Sequence, residues 1–498
     1  MSTAPERPWL VVAATTVAVL LYSIDVTIAN VALPNIQGSL QATLDQTLWV
    51  LTSYIVTSAL CMPLVGYLAI RFGERRILLL SVVGFTLASM ACGVAISLEQ
   101  LVLFRGIQGA FGAALLPISQ AALLRAFTGA SAARAMGVWT VGVMVGPVIG
   151  PTLGGWLTET SSWRWVFFVN APVGLMAWLL LATSLPKDHG SNNRPFDVTG
   201  FVLLSVSLLT LQLMFDRGNH LDWFASGEIF IEGVVGATAL AMFLVHMLTA
   251  TNPFFDRAVF RDRNLMAGTL AMIAIYPLIL IVSALLPTFL QQLQNHSATS
   301  AGMLMAPRGV GIAIGSVVST RLMQYFRPLT LMTAGFAIIA IANWPLVHLS
   351  LGISASTIGF ASFVQGIGLG TTFGILMTAS MLTLTGPLRT EGSVVTTLIR
   401  SIAGAIAISL IGNYLGHSTI ENRARLAESI TVFDALPRAA QNIWLLDAEV
   451  QRQANVIAYG NAFLVLTAFA AIALIAAVLM KVPRNPSAPS SSESTAAH

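Results

Sequence analysis

Apolar runs of about twenty residues, separated by short polar breaks, occupy most of the chain. About 20 such residues cross the hydrocarbon core of a bilayer as one α-helix. On that ruler the pattern predicts fourteen spans, at residues 10–33, 48–70, 77–97, 100–124, 135–157, 164–185, 198–216, 228–250, 267–291, 299–321, 329–349, 355–380, 395–415 and 456–480. An even number returns the chain to the face it started from. Loops on that face carry Arg71, Arg75, Arg76, Arg125, Arg134, Lys187, Arg194, Arg257, Arg261, Arg263, Arg321, Arg327 and Arg389, whereas the short loops opposite carry only Arg164 and Arg217. Basic residues stay on the cytoplasmic side of a membrane, so both termini are expected there.

Two stretches depart from this rhythm. Residues 416–455 hold alternating acidic and basic side chains and read as a solvated, partly helical outer loop, either an interaction surface or an idle linker. Residues 483–498 are rich in Ser, Pro and Ala and read as a disordered cytoplasmic tail. An internal echo, Gln108-Gly109-Ala110-Phe111-Gly112 in the fourth span and Gln365-Gly366-Ile367-Gly368-Leu369-Gly370 in the twelfth, suggests two related halves. The implied organisation is a six-helix bundle over 1–190, two inserted helices over 191–255 and a second six-helix bundle over 256–482. Such repeats are the sequence trace of transporters that rock one half against the other.

Composition agrees with the pattern. The chain is 56% hydrophobic and only 9% charged, with a mean hydropathy of +0.79. Soluble domains carry roughly 25% charge, so a water-soluble fold is excluded. Net basicity comes from topology, because the arginines sit in short loops, and nucleic-acid binding is not implied. Cys61 and Cys92 both lie inside apolar runs and give no disulfide framework. The two lysines, Lys187 and Lys481, lie outside any phosphate-binding loop, which excludes a nucleotide-driven pump and leaves an ion gradient. The seven histidines form no ligand pair, so neither a metal site nor an embedded enzyme is expected, and no cofactor beyond a coupling proton.

Asp25 is the acidic residue lying clearly within the apolar body of a span. A carboxylate is costly there and marks a functional site by default. Low dielectric disfavours its charged form and a nearby cation favours it, so a carboxylate passing between those surroundings can carry a proton; a structural hydrogen bond is the competing role. Arg105 is the expected partner. Counting 1.5 Å per residue puts Asp25 roughly 22 Å from one face and Arg105 roughly 7 Å from the other. In a core about 30 Å thick those depths agree. Arg308 and Arg400 are two further buried cations, the first a substrate contact and the second close enough to the cytoplasmic face to snorkel.

Gly142, Gly146, Gly150 and Gly154 recur every fourth residue in the fifth span and form a ridge without side chains, against which another helix can pack backbone to backbone. Pro147 and Pro151 remove amide donors along the same helix. The bend persists in lipid only if neighbours satisfy the freed carbonyls. Either a fixed helix pair or a moving contact fits the glycines alone.

The fuller pattern, Gly137, Gly146, Gly150-Pro151 and Gly154-Gly155, resembles the antiporter signature of proton-coupled drug exporters of the major facilitator superfamily. Asp25 through Asn30-Val31-Ala32-Leu33-Pro34 and Arg105-Gly106-Ile107-Gln108-Gly109 are similar to signatures of its fourteen-span EmrB/QacA branch. Gly66-Tyr67-Leu68-Ala69-Ile70-Arg71-Phe72-Gly73-Glu74-Arg75-Arg76 resembles the superfamily's cytoplasmic loop signature, except that Ile70 stands where an aspartate is usual. The acid that latches the outward-facing state is therefore missing at its usual position. The resemblance implies a major facilitator fold and a drug:proton antiporter in a bacterial inner membrane. Phe215-Asp216-Arg217-Gly218 and Leu221-Asp222-Trp223-Phe224, which join spans 7 and 8, resemble the same branch together with the long last loop, and this implies an EmrA-type periplasmic adaptor and, through it, an outer-membrane channel. An uptake symporter of the same fold is the alternative. Tyr22, Trp49, Tyr54, Gln108, Trp139, Phe289, Met303, Arg308 and Gln365 are the candidates to line a substrate pocket for uncharged, weakly acidic or monocationic hydrophobic compounds.

Overall fold

A computed structural model describes residues 8–127, 129–186, 195–218, 221–323, 325–429 and 432–478. The tail at 483–498 lies outside them. Fourteen helices among the described residues are long and apolar enough to cross a membrane: span 1 Pro8–Ser39, span 2 Trp49–Phe72, span 3 Glu74–Val94, span 4 Leu98–Ala126, span 5 Ser131–Thr160, span 6 Trp165–Ser184, span 7 Val198–Arg217, span 8 Gly227–Thr249, span 9 Arg263–Gln292, span 10 Thr299–Leu322, span 11 Pro328–Val347, span 12 Ala355–Ser380, span 13 Pro387–Glu428 and span 14 Leu446–Val478. We call the face where span 1 begins the terminal face.

Spans 1–6 and 9–14 form two bundles with the same internal packing. Span 4 lies along span 2 as span 12 lies along span 10, and span 1 packs on span 6 as span 9 packs on span 14. The echoed Gln-Gly pairs sit at matching places in that plan. A methyl group at Gly109 would collide with the carbonyl of Tyr54 on span 2, and one at Gly366 with the carbonyl of Arg308 on span 10. The bundles meet where span 5 packs on span 10 and span 2 on span 13. Spans 7 and 8 pack on each other, and span 7 also leans on spans 2 and 13. Thr52 donates to Asp216 at 2.5 Å, and Ser409 to the Phe215 carbonyl at 2.6 Å.

Two spans are broken. Span 4 consists of Leu98–Gly112 and Leu115–Ala126, the break falling at Ala113, whose carbonyl loses its helical donor to Pro117. Span 6 consists of Trp165–Phe168 and Asn170–Ser184, with Pro172 in the first turn of the second piece, where a missing amide costs nothing.

The segment at 416–455, expected to be partly helical, is helical at all of its described residues. Span 13 belongs to a helix running Pro387–Ser429 and span 14 to one running Val432–Val478, so the segment is a projecting helical hairpin. Its charges pair instead of breaking the helices: Arg423 with Asp447 at 2.6 Å and, one turn apart, Arg425 with Glu421 at 2.5 Å. Thr419 donates to Asn455 at 3.0 Å across the hairpin.

Candidate functional site

Span 1 carries Asp25 to the interior of the first bundle, where the residue is fully buried. Arg105 meets it from span 4, Nη1 to Oδ2 at 2.7 Å. Gln108, one turn on from Arg105, donates to Oδ1 at 2.8 Å, and Asn170, at the restart of span 6, donates to the same oxygen at 2.7 Å. Both carboxylate oxygens are thus held by side-chain donors from other spans. Arg105 also donates to Gln108 Oε1 at 2.8 Å and to the Val50 carbonyl at 3.2 Å. Its guanidinium lies over the Tyr54 ring, 4.3 Å from the centroid. Ser89 accepts from Asn170 at 2.9 Å and donates to the Phe167 carbonyl at 2.9 Å. A buried ion pair survives loss of water best when its remaining hydrogen-bonding capacity is met, and here both oxygens of Asp25 and Nε and Nη1 of Arg105 are bonded. Asn170, Ser89 and the Val50 carbonyl are members that the sequence did not single out.

The glycine ridge of span 5 holds the helix that carries Asp25. A methyl group at Gly142 would meet Thr16, at Gly146 Ser23, at Gly150 Thr27 and at Gly154 Ile28, all on span 1. Gly155 is buried beside them. Gly137, nearer the terminal face, instead faces Thr320 and Ser316 of span 10. Pro147 leaves the Val143 carbonyl without its helical donor, and Ser23 Oγ of span 1 fills that position at 2.5 Å. Pro151 is only half-buried on the same helix. Ridge, proline and Asp25 therefore belong to one helix pair.

The remaining pocket candidates do not gather in one cavity. Gln108 and Tyr54 belong to the Asp25 network and are buried in it. Trp139 is fully buried and donates to Ser119 at 3.3 Å, and Phe289 is fully buried edge-on to Tyr459 at 5.6 Å. Trp49 and Met303 lie on the exposed surface, at 43% and 62%. Gln365 donates to Asn343 at 2.7 Å inside the second bundle. Tyr22 is half-buried, its ring 6.5 Å from that of Tyr54. Arg308 is buried, with Nη1 donating to Ser283 at 2.9 Å.

Arg400 is corrected. Span 13 starts at Pro387, not 395, which sets Arg400 about 20 Å from the terminal face at 1.5 Å per residue. It is 1% exposed and its guanidinium lies 4.6 Å from the Tyr276 ring centroid, so it does not snorkel.

On the terminal face the loop signature closes a latch despite Ile70. Gly73, with φ of 95°, makes the sharp joint between spans 2 and 3 in a backbone region open to glycine. The next residue, Glu74, is buried and pairs with Arg125 of its own bundle. Thr390 of the other bundle donates to Glu74 at 2.5 Å. Arg389 donates to the Leu124 carbonyl at 2.7 Å, and Ser393 to Gln120 at 2.9 Å, tying the bundles further. Gly66 brings span 2 against Val394. Arg71 bonds the Tyr67 hydroxyl, Arg75 donates to the Ala182 carbonyl at 2.7 Å, and Arg76 is exposed. The acid of the latch is thus Glu74, four residues beyond the usual position.

Residues 15–408 match the sequence profile of the Major Facilitator Superfamily. The chain is 35% identical over 423 residues to the multidrug export protein EmrB of Escherichia coli (strain K12), covering 84% of this chain and 83% of that one. It is 33% identical over 419 residues to the fatty acid resistance protein FarB of Neisseria gonorrhoeae, with 84% and 83% covered. Among solved structures, a double-Trp mutant of XylE aligns with a TM-score of 0.58 at 13% identity, over 95% of this chain and 99% of that one, a likeness of fold alone. Fourteen candidate spans, twelve of them in two similarly packed bundles, the sequence profile and these relatives lead to one conclusion: the chain belongs to the Major Facilitator Superfamily, as a multi-pass membrane homologue of the EmrB multidrug export proteins.

Proposed function

We propose that the chain is a proton-coupled antiporter that exports hydrophobic and amphipathic compounds across a bacterial inner membrane by alternating access. Both termini are cytoplasmic in this reading, in keeping with the thirteen-to-two excess of basic residues in the terminal-face loops. The names of its relatives, multidrug export and fatty acid resistance, support export over uptake and a substrate with a large apolar part.

The observation that carries the proposal is the buried Asp25–Arg105 pair, placed on the helix that the antiporter-type glycine ridge holds. With Asp25 charged, Arg105, Gln108 and Asn170 all donate to it and span 1 is pinned to spans 4 and 6. A proton on the carboxylate removes the charge that three donors share and loosens that pin. Span 1 can then shift along the smooth ridge of span 5, which offers no side chains to catch it. The terminal face is sealed by the contacts of Glu74, Arg389 and Ser393, and in an outward-facing state Asp25 would load its proton from outside. One charge crossing the membrane is worth about 2.3 kcal/mol per 100 mV, to which any pH gradient adds.

The projecting hairpin of spans 13 and 14 is proposed to dock an EmrA-type periplasmic adaptor leading to an outer-membrane channel. The test of coupling is a proteoliposome assay with a compound panel and an imposed pH gradient. Asp25→Asn should lose accumulation against a gradient while keeping expression and substrate binding. Accumulation by the Asn variant would refute the assignment.

A further inference from the structure

Two guanidiniums in the second bundle are left over from this scheme. Arg308 on span 10 and Arg400 on span 13 are 2% and 1% exposed. Arg308 has one hydrogen bond, to Ser283, and its Nε and Nη2 have none; Arg400 Nε and Nη1 also lack any hydrogen-bond partner. Neither forms an ion pair with the described residues, although a buried charge without a counter-charge is among the most costly features a membrane interior can hold. Arg105, by contrast, has its counter-charge in Asp25. The membrane interior thus holds two more buried guanidiniums than it needs for Asp25.

Their setting is constructed. Both rest on span 9, Arg400 at Tyr276 and Arg308 at Ser283. Those two positions are seven residues apart, on one stripe of the helix and about 10 Å from each other along its axis. Gly404, one turn beyond Arg400, lets the Tyr276 ring lie against span 13: a methyl group there would be 3.2 Å from that ring. Phe373 of span 12 lies on another side, its centroid 6.0 Å from the guanidinium. Across the bundle interface Arg400 is within electrostatic reach of Tyr22 on span 1, which is only half-buried. Tyr22 and Tyr276 lie fourteen and thirteen residues from the terminal-face ends of their spans, and Arg400 thirteen from its own, so the three share a level near mid-membrane.

We propose that Arg400 and Arg308 are a two-station binding site for the acidic group of an amphipathic organic anion, whose apolar body lies among the surrounding aromatic and aliphatic side chains. Arg400, over the Tyr276 ring, receives the carboxylate. Arg308 is the second station, nearer the face opposite the termini. A carboxylate suits both, because it accepts the two parallel N–H bonds a guanidinium offers and brings the missing counter-charge. The proposal rests on the transport reading and names its substrate class.

The test uses the purified full-length chain in detergent, without any gradient, and radiolabelled dodecanoate in a scintillation proximity assay. Unlabelled dodecanoate, dodecanol and dodecyltrimethylammonium share an apolar body and serve as competitors. Saturable dodecanoate binding should resist the quaternary ammonium and yield to dodecanol only at concentrations at least tenfold higher. Arg400→Gln and Arg308→Gln should each weaken dodecanoate binding about tenfold or more, with Arg400→Lys in between. The competitor series decides the matter even if a Gln variant is not monodisperse. Absence of saturable binding, equal competition by the ammonium compound, or full affinity in well-folded Gln variants would overturn the proposal. Loss of coupling in Asp25→Asn is read in proteoliposomes, so each idea can fail without the other.

Discussion

Ser23 Oγ donates to the carbonyl of Val143 at 2.5 Å, and that carbonyl is the one Pro147 deprives of its helical partner. Two residues along span 1 from Ser23 stands Asp25. One interhelical hydrogen bond therefore ties the proline position of span 5 to span 1, two residues from the buried carboxylate. Removing it leaves an acceptor unpaired in an apolar interior, at a cost of about 1–3 kcal/mol. Ser23→Ala should lower thermal stability in detergent and slow transport, while Ser23→Thr, which keeps the donor, should retain most of both. Equal melting curves for Ser23→Ala and the parent would show that the carbonyl finds another donor.

The ridge makes a steric prediction. At Gly150 a side chain would run into Thr27 of span 1, and at Gly146 into Ser23. Gly150→Leu should abolish substrate movement and trap the protein in one conformation, whereas Leu87→Ala, on the exposed surface, should leave transport within twofold. Cysteine-accessibility labelling on both faces, with and without substrate, reads the trapping directly. Normal exchange in Gly150→Leu would reduce span 5 to a packing helix.

How much of this was legible from the chain depends on how rare each signal is. Charged residues seldom occur inside apolar runs, so Asp25 and Arg105 stood out, and a rise of 1.5 Å per residue sufficed to place them at one depth. Asn170 and Ser89 did not stand out, because single amide and hydroxyl side chains are common in spans and nothing local marks the one that faces a carboxylate. The aromatic candidates were ambiguous for the opposite reason. Trp139 and Phe289 are as useful for packing as for lining a pocket, and both are buried. Gln108 carried a real polar signal, but its partner turned out to be Asp25. Arg400 was set too shallow because the polar stretch ahead of 395 hid the true start of span 13 at Pro387. Charge likewise hid the hairpin at 416–455, since a charged stretch can extend a helix as well as end it when opposite signs fall one turn apart.

The Asp25 network separates charge from shape. Arg105→Ala should abolish transport, leaving the carboxylate buried without its cation, and Arg105→Lys should be strongly impaired, since lysine cannot reach Asp25, Gln108 and the Val50 carbonyl together. Asn170→Ala removes one neutral donor to Asp25 and should reduce the rate several-fold without abolishing it. Proton release on substrate binding, followed across pH, should shift in Arg105→Ala. An unchanged titration would separate the two residues.

The latch predicts a population shift. Glu74 joins Arg125 of its own bundle to Thr390 of the other, and it is buried where they meet. Glu74→Gln should weaken the closure of the terminal face. Spin labels at the exposed Arg76 and Arg327, one in each bundle, should then report a larger share of long distances than in the parent. Restoring an acid at its usual place, in Ile70→Asp with Glu74→Gln, should recover part of the short-distance population. An identical distance distribution in Glu74→Gln would place the seal in the contacts of Arg389 and Ser393 instead.

The hairpin of spans 13 and 14 gives the last prediction. Both helices continue beyond the apolar part of their spans, and the charged stretch between them keeps its helical form through Arg423–Asp447 and Thr419–Asn455. Arg452 additionally donates to the Leu293 carbonyl at 2.6 Å, which anchors the base of the hairpin to the end of span 9. A helical extension bearing charged side chains would suit a helical partner on the face opposite the termini, which the proposed topology makes the outer compartment, where a hydrophobic substrate released freely would re-enter the membrane. Shortening the hairpin beyond its base, by replacing 424–446 with a short flexible linker, spares Thr419, Asn455 and Arg452. The shortened protein should transport normally in proteoliposomes, where no adaptor is present. In cells it should lose resistance and no longer co-purify with an adaptor of the EmrA type. Loss of transport in the purified protein would make the projection part of the pump, and unimpaired resistance in cells would show that nothing docks on it.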